Sequence, residues 1–361
     1  PVFTPSVQTP RLSVLIPARD EAAVIGYTVR ALLAQHYPCF EVIVLDDHSS
    51  DGTGAIAQAA AGGDSRLRVI EGADLLSGWL GKNWACHQLA QAAAESKFKP
   101  EYLIFADADV GWTPGALNAL AAELRRTDAD LLTVWPTQTT KTWGERLIVP
   151  LMALVVLGYL PIPLVHHTPW RVFAAANGQC MAFRRRAYDK VGGHIAVRGE
   201  IVEDIALSRR IKGRGLRLRM ADGAGVIGCR MYRSWKEVRA GYAKNIIAGY
   251  GDSVIALLLA SVFHWLVFLL PALWLLLGWL FSDVPFGAGS WPAWPLALTT
   301  IGLLIRALTA AATRQRVRDA LLLPVSVLLM TRIAALALEW RWRHGGPQWK
   351  GRTITRAANP R

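Results

Sequence analysis

The order of apolar and polar residues predicts alternating strands and helices over the first third of the chain. Short apolar runs at 12–16, 41–45, 67–70 and 102–106 have the length and flanking residues of buried strands. Helical segments are predicted between them, at 25–33, 53–61 and 82–95. Strands that alternate with helices of this length are typical of βαβ units, so the pattern predicts an α/β fold with a parallel sheet.

The second half of the chain contains four longer apolar segments. Residues 253–281 and 293–312 are long enough to cross about 30 Å of hydrocarbon as helices. Residues 147–165 and 320–338 are interrupted by prolines, and basic residues lie on both sides of the latter segment. Because basic flanks stay on the cytoplasmic side, and because both flanks of 147–165 belong to the catalytic portion, we expect neither segment to cross the membrane once. Both are therefore predicted to be interfacial or re-entrant.

These segments divide the chain into two predicted domains. Residues 1–250 should form a catalytic domain, with 147–165 as an insertion, and residues 251–361 a membrane domain with two spans. The tail of the membrane domain is basic and is therefore expected in the cytoplasm. The positions of these charges predict a protein of the inner (cytoplasmic) membrane whose catalytic domain faces the cytosol.

Composition agrees with a membrane protein that binds anions. Hydrophobic residues make up 52% of the chain, and 40 Lys and Arg against 27 Asp and Glu give a formal charge of +13. A basic surface suits anionic phospholipid, nucleotide phosphates or nucleic acid. The long apolar segments favour the first two, so no nucleic acid partner is expected. The four cysteines are widely spaced without a C-x-x-C pair, which indicates reduced thiols rather than a zinc site or disulfides.

Acidic residues follow two of the predicted strands. Asp46 and Asp47 come after the second strand, and Asp107 and Asp109 come after the fourth. Ligands of open α/β sheets bind beyond the carboxyl ends of strands. Two carboxylates separated by one residue can converge on Mg²⁺ or Mn²⁺ together with substrate phosphates. An ordinary acidic turn is the alternative for either pair.

Three further motifs carry candidate chemistry. Pro17 to Glu21 ends the first strand with two acids, which can bind a nucleobase or cap a helix. Lys82 follows a glycine-rich loop and could bind phosphates. Glu203 and Asp204 begin a predicted helix that ends at Gly213, where a carboxylate could act as a general base or simply favour the helix dipole.

In this order, the motifs over about residues 11–250 resemble the family 2 inverting glycosyltransferases, which have a GT-A fold. The resemblance implies a nucleotide-sugar donor, a bound Mg²⁺ or Mn²⁺, and Asp204 as the base beside Glu203. It places the donor against Pro17, Ala18, Asp20, Glu21, Asp46, Asp47, Lys82 and Asp107. It assigns the metal to Asp107 and Asp109, and the acceptor side to Asn177, Gly178, Gln179 and Cys180.

One difference from the processive members of this family indicates which subgroup the sequence resembles. The Q-x-x-R-W segment of processive synthases is replaced here by residues 230–245, which, with Gly81 to Cys86 and Trp349 to Arg352, look like the hopanoid-associated and carotenoid glycosyltransferases. This subgroup implies transfer of one sugar, with UDP-glucose as the expected donor, to a hydroxyl or carboxyl of a membrane polyisoprenoid lipid.

Two alternatives stay open. A polyprenyl-phosphate glycosyltransferase would use the same donor site and could bind its acceptor through Arg184, Arg185, Arg209 and Arg210. A catalytically silent membrane scaffold could retain the nucleotide-binding fold, although the acids at 47, 107, 109 and 204 argue against it.

Overall fold

The computed structural model describes residues 9–281, 291–349 and 352–353. The seven elements predicted in the first third of the chain are all present. The strands are β1 (Leu12–Ala18), β2 (Phe40–Asp46), β3 (Leu67–Glu71), β4 (Tyr102–Ala106), β5 (Val110–Trp112), β6 (Leu131–Trp135), β7 (Thr137–Gln138), β8 (Cys180–Arg184), β9 (Leu218–Asp222), β10 (Ile227–Cys229), β11 (Gln348–Trp349) and β12 (Arg352–Thr353). The helices are α1 (Ile25–Leu33), α2 (Thr53–Ala60), α3 (Gly81–Glu95), α4 (Ala116–Thr127), α5 (Trp143–Ile148), α6 (Leu151–Tyr159), α7 (Ile162–His167), α8 (Arg185–Val191), α9 (Glu203–Gly213), α10 (Trp235–Gly249), α11 (Val254–His264), α12 (Leu270–Leu277), α13 (Ala293–Ala312) and α14 (Leu323–His344).

A seven-stranded sheet in the order β3-β2-β1-β4-β8-β6-β9 organises the catalytic half of the molecule. β1 pairs in parallel with β2 and β4, as the sequence predicts, but β8 runs antiparallel to both β4 and β6. The parallel sheet predicted for the first third is thus confirmed over β3-β2-β1-β4, and the antiparallel strand β8 lies outside the predicted strands. The pairing of Ala106 with Cys180 places the start of β8 beside the carboxyl end of β4, so the residues that precede β8 meet those that follow β4.

The first strand continues beyond the proline that was expected to end it. Pro17 lies within β1 opposite Leu45 of β2, whereas the pairing with β4 extends only to Leu15. Because β1 has a single neighbour beyond that point, a residue without an N–H is tolerated there. Val14 and Ile16 are fully buried in the main core, between the sheet and helix α1.

Contacts divide the chain into two compact units. Among the described residues, the first unit contains 9–137 together with Pro161–Cys229, and the second contains Gln138–Leu160 and the described residues between 230 and 353. This division differs from the predicted boundary at residue 250. The reason is a shared apolar core of α5, α6, α10 and α14, formed by Ile148, Leu154, Val238, Ile333 and Ala337.

The prolines in the two interrupted apolar segments have different effects. In 147–165 they separate three short helices, with Pro150 before α6 and Pro161 before α7. In 320–338, by contrast, Pro324 lies in the first turn of α14, where its missing N–H costs no helical hydrogen bond. Pro324 therefore marks the change from a 3-10 helix at Val317–Leu322 to α14, which then continues without interruption to His344.

Three helices in the described part of the chain are long and apolar enough to cross a membrane. They are Val254–Leu280, Ala293–Ala312 and Val317–His344. The first two match the predicted spans 253–281 and 293–312, and the third contains the segment 320–338. The assignment of two spans, with 147–165 and 320–338 as interfacial or re-entrant, stays a prediction.

Candidate active site

The predicted lysine and two of the predicted acids meet at the carboxyl end of β4. Nζ of Lys82 lies 2.8 Å from Oδ1 of Asp107 and 3.0 Å from Oε1 of Glu203. Lys82 lies in the first turn of α3, Asp107 follows β4, and Glu203 is the first residue of α9. Burial opposes the charge of Lys82, but the two carboxylates outweigh it and hold its pKa well above the ordinary value.

Asp204 lies beside this group and is held by two backbone amides. The N–H of Gly178 donates to Oδ2 of Asp204 at 2.8 Å, and the N–H of Ile205 donates to Oδ1 at 2.7 Å. Burial, followed by the charge of Glu203, raises the pKa of Asp204 to about 7. A carboxyl with such a pKa can accept a proton near neutral pH, as a general base must.

Gly178 leaves room for this arrangement. A Cβ at this position would lie 3.3 Å from Oδ2 of Asp204 and 3.4 Å from both Oε1 of Glu203 and Nζ of Lys82. A side chain would crowd all three functional groups at once. The predicted acceptor-side segment therefore contacts the predicted base directly.

Asp109 also follows β4, three residues after the strand ends. Its Oδ2 accepts a hydrogen bond from Sγ of Cys229 at 3.3 Å, and that sulfur accepts one from Nε2 of Gln179 at 2.8 Å. Burial and the nearby charge of Asp107 raise the pKa of Asp109 to about 7. The contact with Cys229 was not predicted, because nothing in the sequence indicates that β10 passes this site.

The donor atoms of Asp107 and Asp109 fit a divalent cation shared with a diphosphate. Two carboxylates that follow one strand supply hard oxygen ligands of the kind that Mg²⁺ and Mn²⁺ prefer. Among residues 9–281, 291–349 and 352–353, no group of three or more His, Cys, Asp or Glu could hold a metal by itself. A bound ion would therefore take its remaining ligands from phosphate and water.

The part of the site that is predicted to bind the nucleobase and ribose is formed by two loops, which meet at the ends of β1 and β2. Nη1 of Arg19 donates to the backbone oxygen of Asp47 at 2.8 Å and lies 3.4 Å from its Oδ2. Oδ1 of Asp20 accepts from the N–H of Ser50 at 2.8 Å. Asp20 and His48 both adopt a left-handed backbone (φ 51° and 54°), a strained conformation that is common in functional loops. Arg19 lies within the quoted motif but was not predicted as a site residue.

Asp46 and Cys180 have structural surroundings that differ from their predicted roles. Oδ1 of Asp46 accepts from the N–H of Ser49 at 2.9 Å and Oδ2 from the N–H of Gly54 at 3.0 Å, so the carboxylate holds the turn before α2. The side chain of Cys180 is fully buried in the main core. Asp46 therefore stabilises the loop and Cys180 packs in the core, and their roles toward donor and acceptor stay predictions.

The other predicted residues keep positions compatible with their roles. Pro17 and Ala18 end β1, and the N–H of Glu21 donates to Oγ1 of Thr53 at 2.8 Å. Asn177 donates through its backbone to Oγ1 of Thr133 at 2.8 Å. Their roles toward donor and acceptor stay predictions.

The fold and the site together define a glycosyltransferase. Residues 10–240 match the family described as Glycosyltransferase like family 2, and the chain belongs to this family. It is 24% identical to 4,4'-diaponeurosporenoate glycosyltransferase of Staphylococcus aureus strain MRSA252, over 94% of this chain and 87% of that protein. The same-named protein of strain USA300 is 26% identical over 70% of this chain and 64% of that protein.

A solved structure shares the fold over nearly the whole chain. It is a mannosyltransferase from Pyrobaculum calidifontis in complex with GDP-Man and Mn²⁺, with a TM-score of 0.52 and 17% identity, covering 92% of this chain and 88% of that protein. The predicted GT-A fold, and the resemblance to carotenoid glycosyltransferases, are thereby confirmed.

Proposed function

We propose that this protein is an inverting, metal-dependent glycosyltransferase that transfers one sugar from a nucleotide-sugar to a membrane polyisoprenoid lipid of the carotenoid type. The observation that carries the proposal is the cluster of Lys82, Asp107 and Glu203, with Asp204 held beside it by Gly178. In this cluster, Lys82 would supply a positive charge to the leaving diphosphate and Asp204 would act as the base for the acceptor.

The donor side supports a nucleoside diphosphate sugar. Asp107 and Asp109 would hold Mg²⁺ or Mn²⁺, which when bound would neutralise the diphosphate. Lys82 would add a second positive charge at the leaving group. The mannosyltransferase of similar fold was solved with GDP-Man and Mn²⁺. For this chain we propose UDP-glucose as the donor, with GDP-mannose as the alternative to test.

The acceptor side supports direct displacement. An acceptor oxygen would attack the anomeric carbon as the bond from that carbon to the phosphate oxygen breaks, and the electron pair would leave with the nucleoside diphosphate. If the acceptor is a hydroxyl, Asp204 would take its proton, and its raised pKa suits this task. A single displacement of this kind inverts the anomeric configuration.

The lipid acceptor is supported by the relatives and by the second unit. The Staphylococcus aureus relatives are named for diaponeurosporenoate, a polyisoprenoid carboxylate. Three helices of the second unit are long and apolar enough to cross a bilayer. We propose that the protein resides in the inner membrane, with anionic phospholipid around its basic turns and the first unit in the cytosol.

A polyprenyl-phosphate acceptor has weaker support. Of its four candidate arginines, Arg184 pairs with Asp128, Arg185 lies 3.1 Å from Asp189, and Nε of Arg210 donates to the backbone oxygen of Val191. Three of the four side chains are thus already paired with other groups of the protein, and Arg209 is exposed.

The test uses the full chain in lipid nanodiscs that contain anionic phospholipid. UDP-glucose or GDP-mannose is offered with a carotenoid carboxylate, a carotenoid alcohol or a polyprenyl phosphate, with Mn²⁺, Mg²⁺ or EDTA. We expect metal-dependent transfer to a carotenoid acceptor, with an inverted anomeric configuration in the NMR spectrum of the product. Asp109→Ala should abolish transfer, while Glu95→Ala, which removes an exposed acid, should not. Absence of metal-stimulated turnover with every donor would support the silent scaffold instead.

A further inference from the structure

Asn83, next to Lys82 in α3, is a buried amide whose side chain donates to several backbone oxygens. Its side chain is 1% exposed. Nδ2 donates to three backbone oxygens, those of Val197 at 2.8 Å, Arg198 at 3.1 Å and Glu200 at 2.9 Å. The amide has two hydrogens for three acceptors, so at least one hydrogen is shared.

The segment that Asn83 holds leads directly into the catalytic acids. Residues 197–200 end three positions before Glu203, the first residue of α9. The same segment is held a second time, because the N–H of Leu80 donates to the backbone oxygen of Arg198 at 2.9 Å. Hydrogen bonds from Leu80 and Asn83 therefore hold the chain just before α9 against the start of α3.

Asn83 and Lys82 are neighbours in α3 and contact successive parts of the segment 197–203. Asn83 binds the backbone at 197–200, while Lys82 lies 3.0 Å from Oε1 of Glu203. Buried carbonyl groups need donors, and removing a shared donor leaves their desolvation uncompensated. Loss of the Asn83 amide would therefore free the segment to move and carry Glu203 and Asp204 away from Lys82.

We propose that Asn83 is a positioning residue that sets Glu203 and Asp204 against Lys82 by clamping residues 197–200 to the start of α3. This inference rests on the proposed function, because its effect on transfer presumes that Asp204 and Lys82 act on acceptor and donor. Asn83 itself does not touch substrate. Its removal should impair the transfer step and leave nucleotide binding at the ends of β1 and β2 intact.

The test compares Asn83→Ala and Asn83→Asp with a matched control. Asn83→Asp keeps the shape but replaces the donor by an acceptor that faces three carbonyl oxygens. Gln35 provides the control, since it is 4% exposed and its Nε2 donates to the backbone oxygens of Ala31 at 3.0 Å and Thr113 at 2.8 Å. Gln35→Ala also removes a buried amide that donates to two backbone oxygens. One of these oxygens lies in helix α1 and the other lies in the chain before α4.

Two readouts separate positioning from general destabilisation. We expect kcat for transfer to fall about 10- to 100-fold in the Asn83 variants, as for a misplaced catalytic group, while the Kd for UDP changes by less than about twofold. Gln35→Ala should leave kcat nearly unchanged below its unfolding temperature. In the full-length protein without substrate, amide hydrogen exchange at 197–203 should accelerate in the Asn83 variants alone.

The outcomes are decisive in both directions. Unchanged exchange at 197–203, or an equal fall in kcat for the Gln35 control, would overturn the proposal. If the wild type transfers sugar to no acceptor, the proposed function fails, but the exchange comparison still decides whether Asn83 clamps the segment.

Discussion

Nζ of Lys82 lies 2.8 Å from Oδ1 of Asp107, so the lysine pairs with one of the two carboxylates that would hold a divalent metal ion. A divalent cation held by Asp107 would be repelled by this ammonium, and the negative charge of a bound diphosphate would offset the repulsion. The metal ion should therefore bind most tightly when the nucleotide diphosphate is present, because its negative charge interacts with both Lys82 and the ion.

This relationship predicts opposite effects of Lys82→Met on two ligands. Affinity for Mn²⁺ alone should rise, by about tenfold or less, because a competing positive charge is removed. Turnover of the nucleotide-sugar should fall about 100-fold, because the leaving group loses a cation. Mn²⁺ binding is measured by electron paramagnetic resonance of the free ion. Lys97→Met, which removes an exposed charge from the chain after α3, is the control, and weaker Mn²⁺ binding in Lys82→Met would contradict the argument.

Asp204→Asn should discriminate between two kinds of acceptor. A hydroxyl must lose a proton during attack, whereas a carboxylic acid with a pKa near 4 to 5 is already ionised at neutral pH. Transfer to a carotenoid alcohol should therefore fall about 100-fold or more, and transfer to a carotenoid carboxylate far less. The two products are quantified by liquid chromatography. Equal losses for both acceptors would show that Asp204 does not act as the base.

The pH dependence should differ between the same two acceptors. The pKa of Asp204 is raised to about 7, so the residue is protonated, and unable to accept a proton, below that pH. The rate of transfer to the alcohol, divided by the rate to the carboxylate, should rise with pH up to about 7 and then level off. Both reactions use the same donor and metal, so the effects of pH on donor and metal binding cancel in this ratio of rates. A ratio independent of pH between 5 and 8 would contradict the assignment.

Gly178→Ala should impair catalysis more than folding. The new Cβ would lie 3.3 Å from Oδ2 of Asp204, close enough to displace the carboxylate while the backbone N–H that binds it remains. We expect kcat to fall about tenfold with a small change in the unfolding temperature. Gly111→Ala is the control, since its Cβ would lie 3.6 Å from its nearest neighbours, the backbone oxygen of Gly228 and Cε1 of Tyr27. Equal activity in the two variants would show that the contact does not matter.

We expect substitution of Asp46 to affect mainly stability and substitution of Asp47 to affect mainly UDP binding. Asp46→Ala removes the acceptor of two backbone N–H groups before α2, which should cost about 1 kcal/mol of stability, while UDP binds as before. Asp47→Ala should instead weaken UDP binding. Thermal unfolding and calorimetric titration of UDP check the two expectations. Loss of UDP affinity in Asp46→Ala, in protein that remains folded, would restore Asp46 to the donor site.

The local pattern of the sequence was sufficient for the strands and helices of the first third and for the position of the acids at their ends. Strand and helix periods depend on which residues can be buried together, and this is visible in short windows such as β2 and α1. The same logic predicts that Asp107 and Asp109 follow a strand. It also predicts the apolar helices of the second unit, because their length and composition are local properties.

The contacts between distant segments were decided only by the tertiary structure. The antiparallel course of β8, the hydrogen bond from Cys229 to Asp109, and the clamp of Asn83 on residues 197–200 join positions separated by 50 residues or more. No periodicity records such pairings, since they depend on strand order and on how loops close. The sequence therefore determined which chemical groups this protein carries, and the fold determined which of them meet.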